Sequence, residues 1–377
     1  MLAHLGKKSL EEGIHLSAAH IDCPRLDLKQ NPMYEKDGLC YFKTHYYGGI
    51  KKYQWTVTPL ALHGVIIKSD GTKIKVRIGE EPGDPIFVIT DLLPHLAAAQ
   101  MKKPLFEAFT GEDLNVLIGS EPFEDEKVSE KVKLKILAML NEKYGVTEED
   151  FNTAELIFTP AAKACDIGFD RALIGGYGHD DRSNSFAALR GLLDLKATPD
   201  HTAAVILTDK EEIGSTGNTG LQASYYKHFV EKLCAGAGAD PIVCFQNTKC
   251  LSADVSTAYD PHYPDVVELQ NVGKLHYGGI ISKYTGSRGK SDTSDASAET
   301  VAYFKTLFDK NGVAWQTGEL GKTDVGGGGT VAKYLAHLDI DVIDFGVGVL
   351  SMHAPFEVIS KADLYMTYKA FNVFNKN

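Results

Sequence analysis

Three short polar stretches hold residue types suited to proton and metal chemistry. His20-Ile21-Asp22 closes an apolar run. In a strand, residues two apart face the same side, so His20 and Asp22 can cooperate without a turn. A metal-bound imidazole commonly gives its other N–H to a carboxylate, which fixes its tautomer. A purely structural His–Asp hydrogen bond is the other reading of this pattern. Gly178-His179-Asp180-Asp181-Arg182 sits in a glycine-rich loop that leads into a helical pattern. The adjacent aspartates repel unless a cation or Arg182 compensates, so one of them binds a metal or caps the helix. Thr208-Asp209-Lys210-Glu211-Glu212-Ile213-Gly214-Ser215 follows the apolar run AAVILT. Two adjacent glutamates at the carboxyl end of a strand stand where open α/β sheets place their sites. Their side chains diverge, so one can bind a metal while the other holds a water beside it.

Two single residues complete the set. Asp254 ends the run CLSAD, and His353 lies in Ser351-Met352-His353-Ala354-Pro355-Phe356-Glu357 beyond IDFGV. All five elements fall just past a predicted strand or at a helix start, on what would be one edge of a sheet. A set of His, Asp, Glu, Asp and His without a thiolate suits two Zn²⁺, Co²⁺ or Mn²⁺ ions that share a bridging carboxylate. Such ions, about 3.5–4 Å apart, polarise a carbonyl and deprotonate a water together. Competing motifs are absent: there is no HExxH and no GxSxG. The glycine run 326–329 continues into Thr330 and Val331, so it is not a P-loop and reads as a close backbone approach or a helix start.

The elements that must position these residues follow from periodicity. Apolar runs at 14–19, 203–208, 250–253 and 342–347 predict buried strands. Helical patterns occupy 185–195, 222–233, 298–308 and 362–374. Alternation of this kind predicts an α/β fold with a mostly parallel sheet and helices on both faces. The stretch 31–155 reads differently. Its runs at 54–67, 73–78 and 86–90 suit antiparallel strands, and a charged helix is predicted over 124–144, with Val128, Val132, Ile136, Met139 and Leu140 on one face. The chain is therefore expected to hold a β-rich domain of residues 31–155 inserted into an α/β domain of residues 1–30 and 156–377.

Composition narrows the function classes. The 377 residues are 44% hydrophobic and 24% charged, enough for a large core and unlike a disordered chain. A net charge of -11 opposes non-specific attraction to nucleic acid or to an anionic membrane. The longest apolar run, 57–67, is broken by Pro59 and His63 and falls short of the ~18 residues of a membrane helix. The opening MLAHLGKKSLEEG is too polar for a signal peptide. Six cysteines without a CxxC pair read as reduced thiols, and the expectation is a cytoplasmic protein.

The motifs AHIDCPRLDLK, GHDDRSNSF, TDKEEIGSTG, SADVS and SMHAPFE occur in an order that resembles the aspartyl aminopeptidase family of co-catalytic zinc peptidases. The resemblance covers nearly the whole chain. It implies an α/β catalytic domain with an inserted β domain, assembly into a tetrahedral homododecamer, and removal of one N-terminal residue from peptide substrates. Carried over motif by motif, it implies that His20 and Asp254 hold one zinc, Glu212 and His353 the other, and Asp180 bridges both. Asp22 would orient His20, and Glu211 would be the general base that serves the attacking water and then the leaving amine.

Some positions depart from the family pattern. A longer helical segment is usual before the first histidine motif. Where the family places a histidine that reaches a neighbouring active site, this chain has Tyr53, in YGGIKKYQW. The SAD motif continues as VSTAYDPHY, with His262 the only nearby imidazole. Substrate preference is argued from a basic, glycine-rich loop at 274–290. There Lys283 and Arg288 would grip the carboxylate of an N-terminal Asp or Glu; the alternative is pairing with Asp292, Asp295 and Glu299. A di-metal amidase or deacylase of small N-acyl compounds is the competing enzyme. A catalytically dead scaffold would be expected to have lost one of the metal residues or Glu211, and all are present.

Overall fold

In the computed structural model, which describes residues 1–124 and 127–377, the chain divides into two units. The first comprises Met1–Cys23, Ala164–Met352 and Glu357–Asn377. Its seven-stranded sheet runs in the order Leu2–His4, Thr202–Thr208, Ile14–His20, Lys249–Ser252, Asp341–Gly346, Gly279–Ser282, Trp315–Thr317. The four strands from Thr202–Thr208 to Asp341–Gly346 are parallel to one another. Leu2–His4 and Gly279–Ser282 attach antiparallel on either side of them.

Near-continuous apolar strands bury both faces, and their side chains alternate between two cores. Val205, Leu251 and Ile343 pack with Ala188, Phe304, Phe308 and Phe371 from the helices His179–Leu193, Ala298–Lys310 and Lys361–Lys376. Ala204, Ile206, Cys250 and Val342 turn the other way, toward Tyr226, Val230, Phe245 and Leu335. Those four belong to the helices Tyr225–Ala237, Pro241–Asn247 and Ala332–Ala336. Each fully buried aromatic or leucine side chain contributes roughly 1.5–3 kcal/mol. Local caps agree with this packing. Ser297 and Ser360 accept backbone N–H groups at the starts of two helices, and Gly238, at φ 69°, ends Tyr225–Ala237. A smaller five-stranded sheet in the same unit orders Ser256–Thr257, Gly348–Leu350, Glu357–Ser360, Leu173–Gly176 and Cys165–Ile167.

The second unit comprises Pro24–Lys163 and His353–Phe356. Its six strands, in the order Lys73–Ile78, Leu60–Ile67, Ala154–Pro160, Arg25–Lys36, Leu39–Tyr47, Val116–Gly119, pair antiparallel throughout. Arg25–Lys36 starts before residue 31 and pairs along its length within this sheet, so the dividing line lies at Cys23/Pro24. Three local expectations differ. The run 54–67 splits at Pro59 into the short helix Lys52–Trp55 and the strand Leu60–Ile67. Residues 86–90 form only isolated bridges, Leu60 to Phe87 and Val88 to Leu117. The helix expected over 124–144 spans Lys131–Tyr144, and Asp125 and Glu126 of that expectation lie outside the described residues. Among the described residues, no helix is long and apolar enough to cross a membrane.

Candidate metal centre

Parallel register brings three motifs to one end of the sheet. His20, last in its strand, is aligned with Thr208, so His20-Ile21-Asp22 and the Glu211-Glu212 turn leave adjacent strands at the same level. Ser252 is aligned with Ala18, which carries Asp254 to that same edge. The helix His179–Leu193 begins there, with non-helical dihedral angles at Asp180 and Asp181.

His20 is almost wholly buried and faces a ring of carboxylates. Its Nε2 is 3.2 Å from Asp180 Oδ1, 3.9 Å from Asp254 Oδ1 and 4.0 Å from Glu211 Oε2. On the other side, Nδ1 lies 3.0 Å from the Asp22 carbonyl and 3.3 Å from Asp22 Oδ1. A carbonyl can only accept, so Nδ1 carries a proton and Nε2 is the nitrogen turned toward Asp180 and Asp254. The Asp22 carboxylate also accepts the backbone N–H groups of Glu211 and Glu212, each at 3.2 Å. One side chain therefore orients the imidazole and the glutamate turn. That turn, Glu211–Ile213, is held between the left-handed residues Lys210 (φ 67°) and Gly214 (φ 94°). Glu357, on a strand of the smaller sheet, accepts the Asp180 backbone N–H at 3.1 Å.

Crowded carboxylates set the electrostatics. Burial raises the Asp254 carboxyl well above the usual carboxylate range, and the Asp180 charge adds to this. Burial does the same to Asp181, against the pull of His20. Burial opposes charge on His20, yet hydrogen bonds to Asp180 and Asp22 raise it well above its ordinary value. His20, Asp180 and Asp254 each offer a ligand atom, all within 4.8 Å of one another. One buried nitrogen and two carboxylates in that space fit a divalent cation of the zinc type, which would also relieve their mutual repulsion.

The remaining predicted residues are placed as follows. His353 groups with the second unit, where its Nδ1 is 2.7 Å from the Gly49 carbonyl; that acceptor fixes the proton on Nδ1. Tyr53, in the same unit, is partly exposed on the short helix Lys52–Trp55. In the basic loop, Lys283 pairs with Asp295 at 2.5 Å, and Lys290 meets the same carboxylate at 2.9 Å. Asp292 pairs with Lys333 instead. Arg288 is exposed, with a left-handed φ of 52°. The glycine run is a close backbone approach: at Gly327 (φ 125°) a Cβ would lie 2.0 Å from the Gly286 carbonyl oxygen.

Several supporting residues escaped sequence reasoning. Asn184, Glu357 and the Thr330–Asp344 hydrogen bond, 2.9 Å, are all buried. Only Asp344 left a signal, as a lone carboxylate within the apolar run 342–347. Burial pushes its carboxyl up to about 7, and Glu211 contributes.

A nitrogen and carboxylate donor set at the carboxyl edge of a parallel sheet fits a metal-dependent hydrolase, and the family match gives its kind. The profile described as aminopeptidase I zinc metalloprotease (M18) matches residues 3–375, and the chain belongs to that family. It is a zinc-dependent aminopeptidase. A relative from Clostridium acetobutylicum, "Probable M18 family aminopeptidase 1", is 48% identical over 377 residues, covering 99% of this chain and 81% of the relative. The crystal structure of an M18-family aminopeptidase from Thermotoga maritima superposes with a TM-score of 0.94 at 47% identity, covering 98% of this chain and 82% of that one. The mApe1 dodecamer of S. cerevisiae shares the fold, with a TM-score of 0.77 at 23% identity over 99% of this chain and 82% of its own.

Proposed function

We propose that the chain hydrolyses the N-terminal peptide bond of peptides, using two divalent ions, Zn²⁺ before Co²⁺ or Mn²⁺, and Glu211 as general base. The motif resemblance assigns His20 and Asp254 to one ion, Glu212 and His353 to the other, and Asp180 to both. When bound, the ions supply Lewis acidity to the scissile carbonyl and acidify the attacking water. The observation that carries the reading is the cluster in which His20 Nε2 faces Asp180, Asp254 and Glu211 within 4.0 Å. Glu211 keeps 17% of its side chain exposed at the rim of that cluster, where a water can reach it. It takes the water's proton and returns it to the leaving amine. Asp22 supports both partners, through the His20 ring and the Glu211 backbone.

The basic loop gives a modest preference for acidic N-terminal residues, through Arg288 and Lys283, because Asp295 already neutralises part of its charge. Tyr53 occupies the place of the family's histidine and belongs to the substrate side. A homododecamer is supported by the motif resemblance and by the dodecameric relative. The cysteines, all free thiols, favour a reducing, cytoplasmic setting.

Glu211→Gln tests the mechanism, since it keeps size and hydrogen bonding while removing the proton acceptor. Metal content should stay near two ions per chain while kcat falls about 10²–10⁴-fold. A variant that keeps more than about a tenth of kcat would remove Glu211 from the base role.

A further inference from the structure

Asp181 and Asn184 are fully buried polar side chains to which the mechanism gives no task. Asp181 Oδ1 accepts a hydrogen bond from Asn184 Nδ2 at 2.5 Å, and its Oδ2 accepts the backbone N–H of His20 at 3.4 Å. Asn184 Oδ1 accepts the backbone N–H of Val347 at 3.0 Å. The Val347 carbonyl in turn accepts the Ser256 N–H at 3.0 Å, just beyond Asp254. Gly346 seals the same junction: a Cβ there would stand 1.9 Å from the Asp254 carbonyl oxygen and 2.7 Å from Asn184 Nδ2. On the other side, Ser185 Oγ donates to the His20 carbonyl at 2.6 Å. One turn of the helix His179–Leu193 thus grips the main chain of His20 and of the segment that backs Asp254.

We propose that Asp181 and Asn184 are a positioning pair that sets the main-chain placement of two metal ligands, His20 and Asp254. The adjacent aspartates then divide their duties, Asp180 toward the ion and Asp181 toward the scaffold. The inference rests on the metal reading given above. Its chemistry is specific. The Asn184 amide donates to the Asp181 carboxylate and accepts from Val347 at once, and the two carboxylate oxygens of Asp181 serve Asn184 and His20 separately. Outer supports of this kind commonly tune metal affinity by 10–100-fold.

The test measures zinc affinity of the full chain by competition with a chromophoric chelator. Asn184→Ala, Asn184→Asp and Asp181→Asn should each weaken zinc binding on the order of 10-fold or more. The exchange Asp181→Asn with Asn184→Asp reverses donor and acceptor in the 181–184 bond and leaves an oxygen to accept each of the His20 and Val347 N–H groups, so it should restore affinity. A role in filling space alone predicts no such rescue. If the single variants do not fold, a folded exchange variant with near-native zinc affinity still supports the pair. An exchange variant that fails to fold or to recover zinc overturns it, as does Asn184→Ala binding zinc within about twofold of the native chain. Asp180→Ala separates the two claims. Loss of zinc in Asp180→Ala with none in Asn184→Ala rejects only the pair, whereas unchanged affinity in Asp180→Ala rejects Asp180 as a metal ligand and with it the division of duties between the two aspartates.

Discussion

A carboxylate that belongs to two coordination shells weakens both when it is removed. On the proposed assignment, Asp180→Ala is expected to lose both ions, and His353→Ala mainly one, in equilibrium dialysis against zinc. Retention of both ions by Asp180→Ala, with their loss from Asp181→Ala, would reverse the assignment of the neighbouring aspartates. The proposed preference for an acidic N-terminal residue is tested at single residues as well. Lys283 shares Asp295 with Lys290, whereas Arg288 is exposed. A charge-assisted hydrogen bond contributes about 1.5–3 kcal/mol, which is roughly tenfold or more in affinity. Replacing Lys283 and Arg288 together by Ala should lower kcat/KM on an Asp-anilide about tenfold and leave a Leu-anilide unchanged. Equal rates on Asp-, Leu- and Lys-anilides, unmoved by the double substitution, would take this loop out of substrate recognition.

The strand Ile14–His20 carries a histidine near each end, and the two are tuned in opposite directions. His20 faces carboxylates, as described. His15 is stacked between His201 and Phe374, with ring centroids 4.3 and 4.6 Å away, and its Nδ1 lies 2.9 Å from the Phe374 carbonyl. Burial lowers its pKa from 6.5 to about 4, and the charge of His201 contributes. Between those values the unfolded chain binds a proton that the folded chain refuses, so stability falls as pH drops. The loss starts near 6.5, is complete below about 4, and amounts to at most ~3 kcal/mol. His15→Gln should flatten this dependence in urea titrations of the zinc-free protein at pH 7 and pH 4.5. Parallel slopes for the two proteins would mean that His15 is not the group responsible. At this level much was legible beforehand. Continuous apolar runs marked the strands Thr202–Thr208 and Asp341–Gly346 to within a residue or two. The helix His179–Leu193 was entered six residues earlier than its apolar pattern suggested, because its first turn is polar.

Exposed apolar surface is the feature by which the chain as a whole points to association. Along residues 86–106 of the β-rich unit, Leu96, Met101 and Phe106 are 69%, 68% and 70% exposed. Large apolar side chains left exposed along one short stretch suit an interaction site. With the proposed assembly, light scattering should report a large homo-oligomer, and charged substitutions at Met101 and Phe106 should reduce its mass. A stable, fully active monomer would remove the assembly from the account.

The amino-acid sequence alone determined the donor types, the strands that end beside them and the resemblance that orders them. Those signals are local: a run of apolar residues or a Glu-Glu turn is written within a few positions. Tertiary structure alone decided that Asp181 accepts the His20 backbone N–H, that Glu357 holds Asp180 across 177 residues of chain, and that Asp295 takes up Lys283. It also brought Asn184 to Val347, 163 residues away. Such contacts depend on strand order and on which buried polar groups must satisfy one another. Neither has a local spacing rule, so both appear only once the chain has packed.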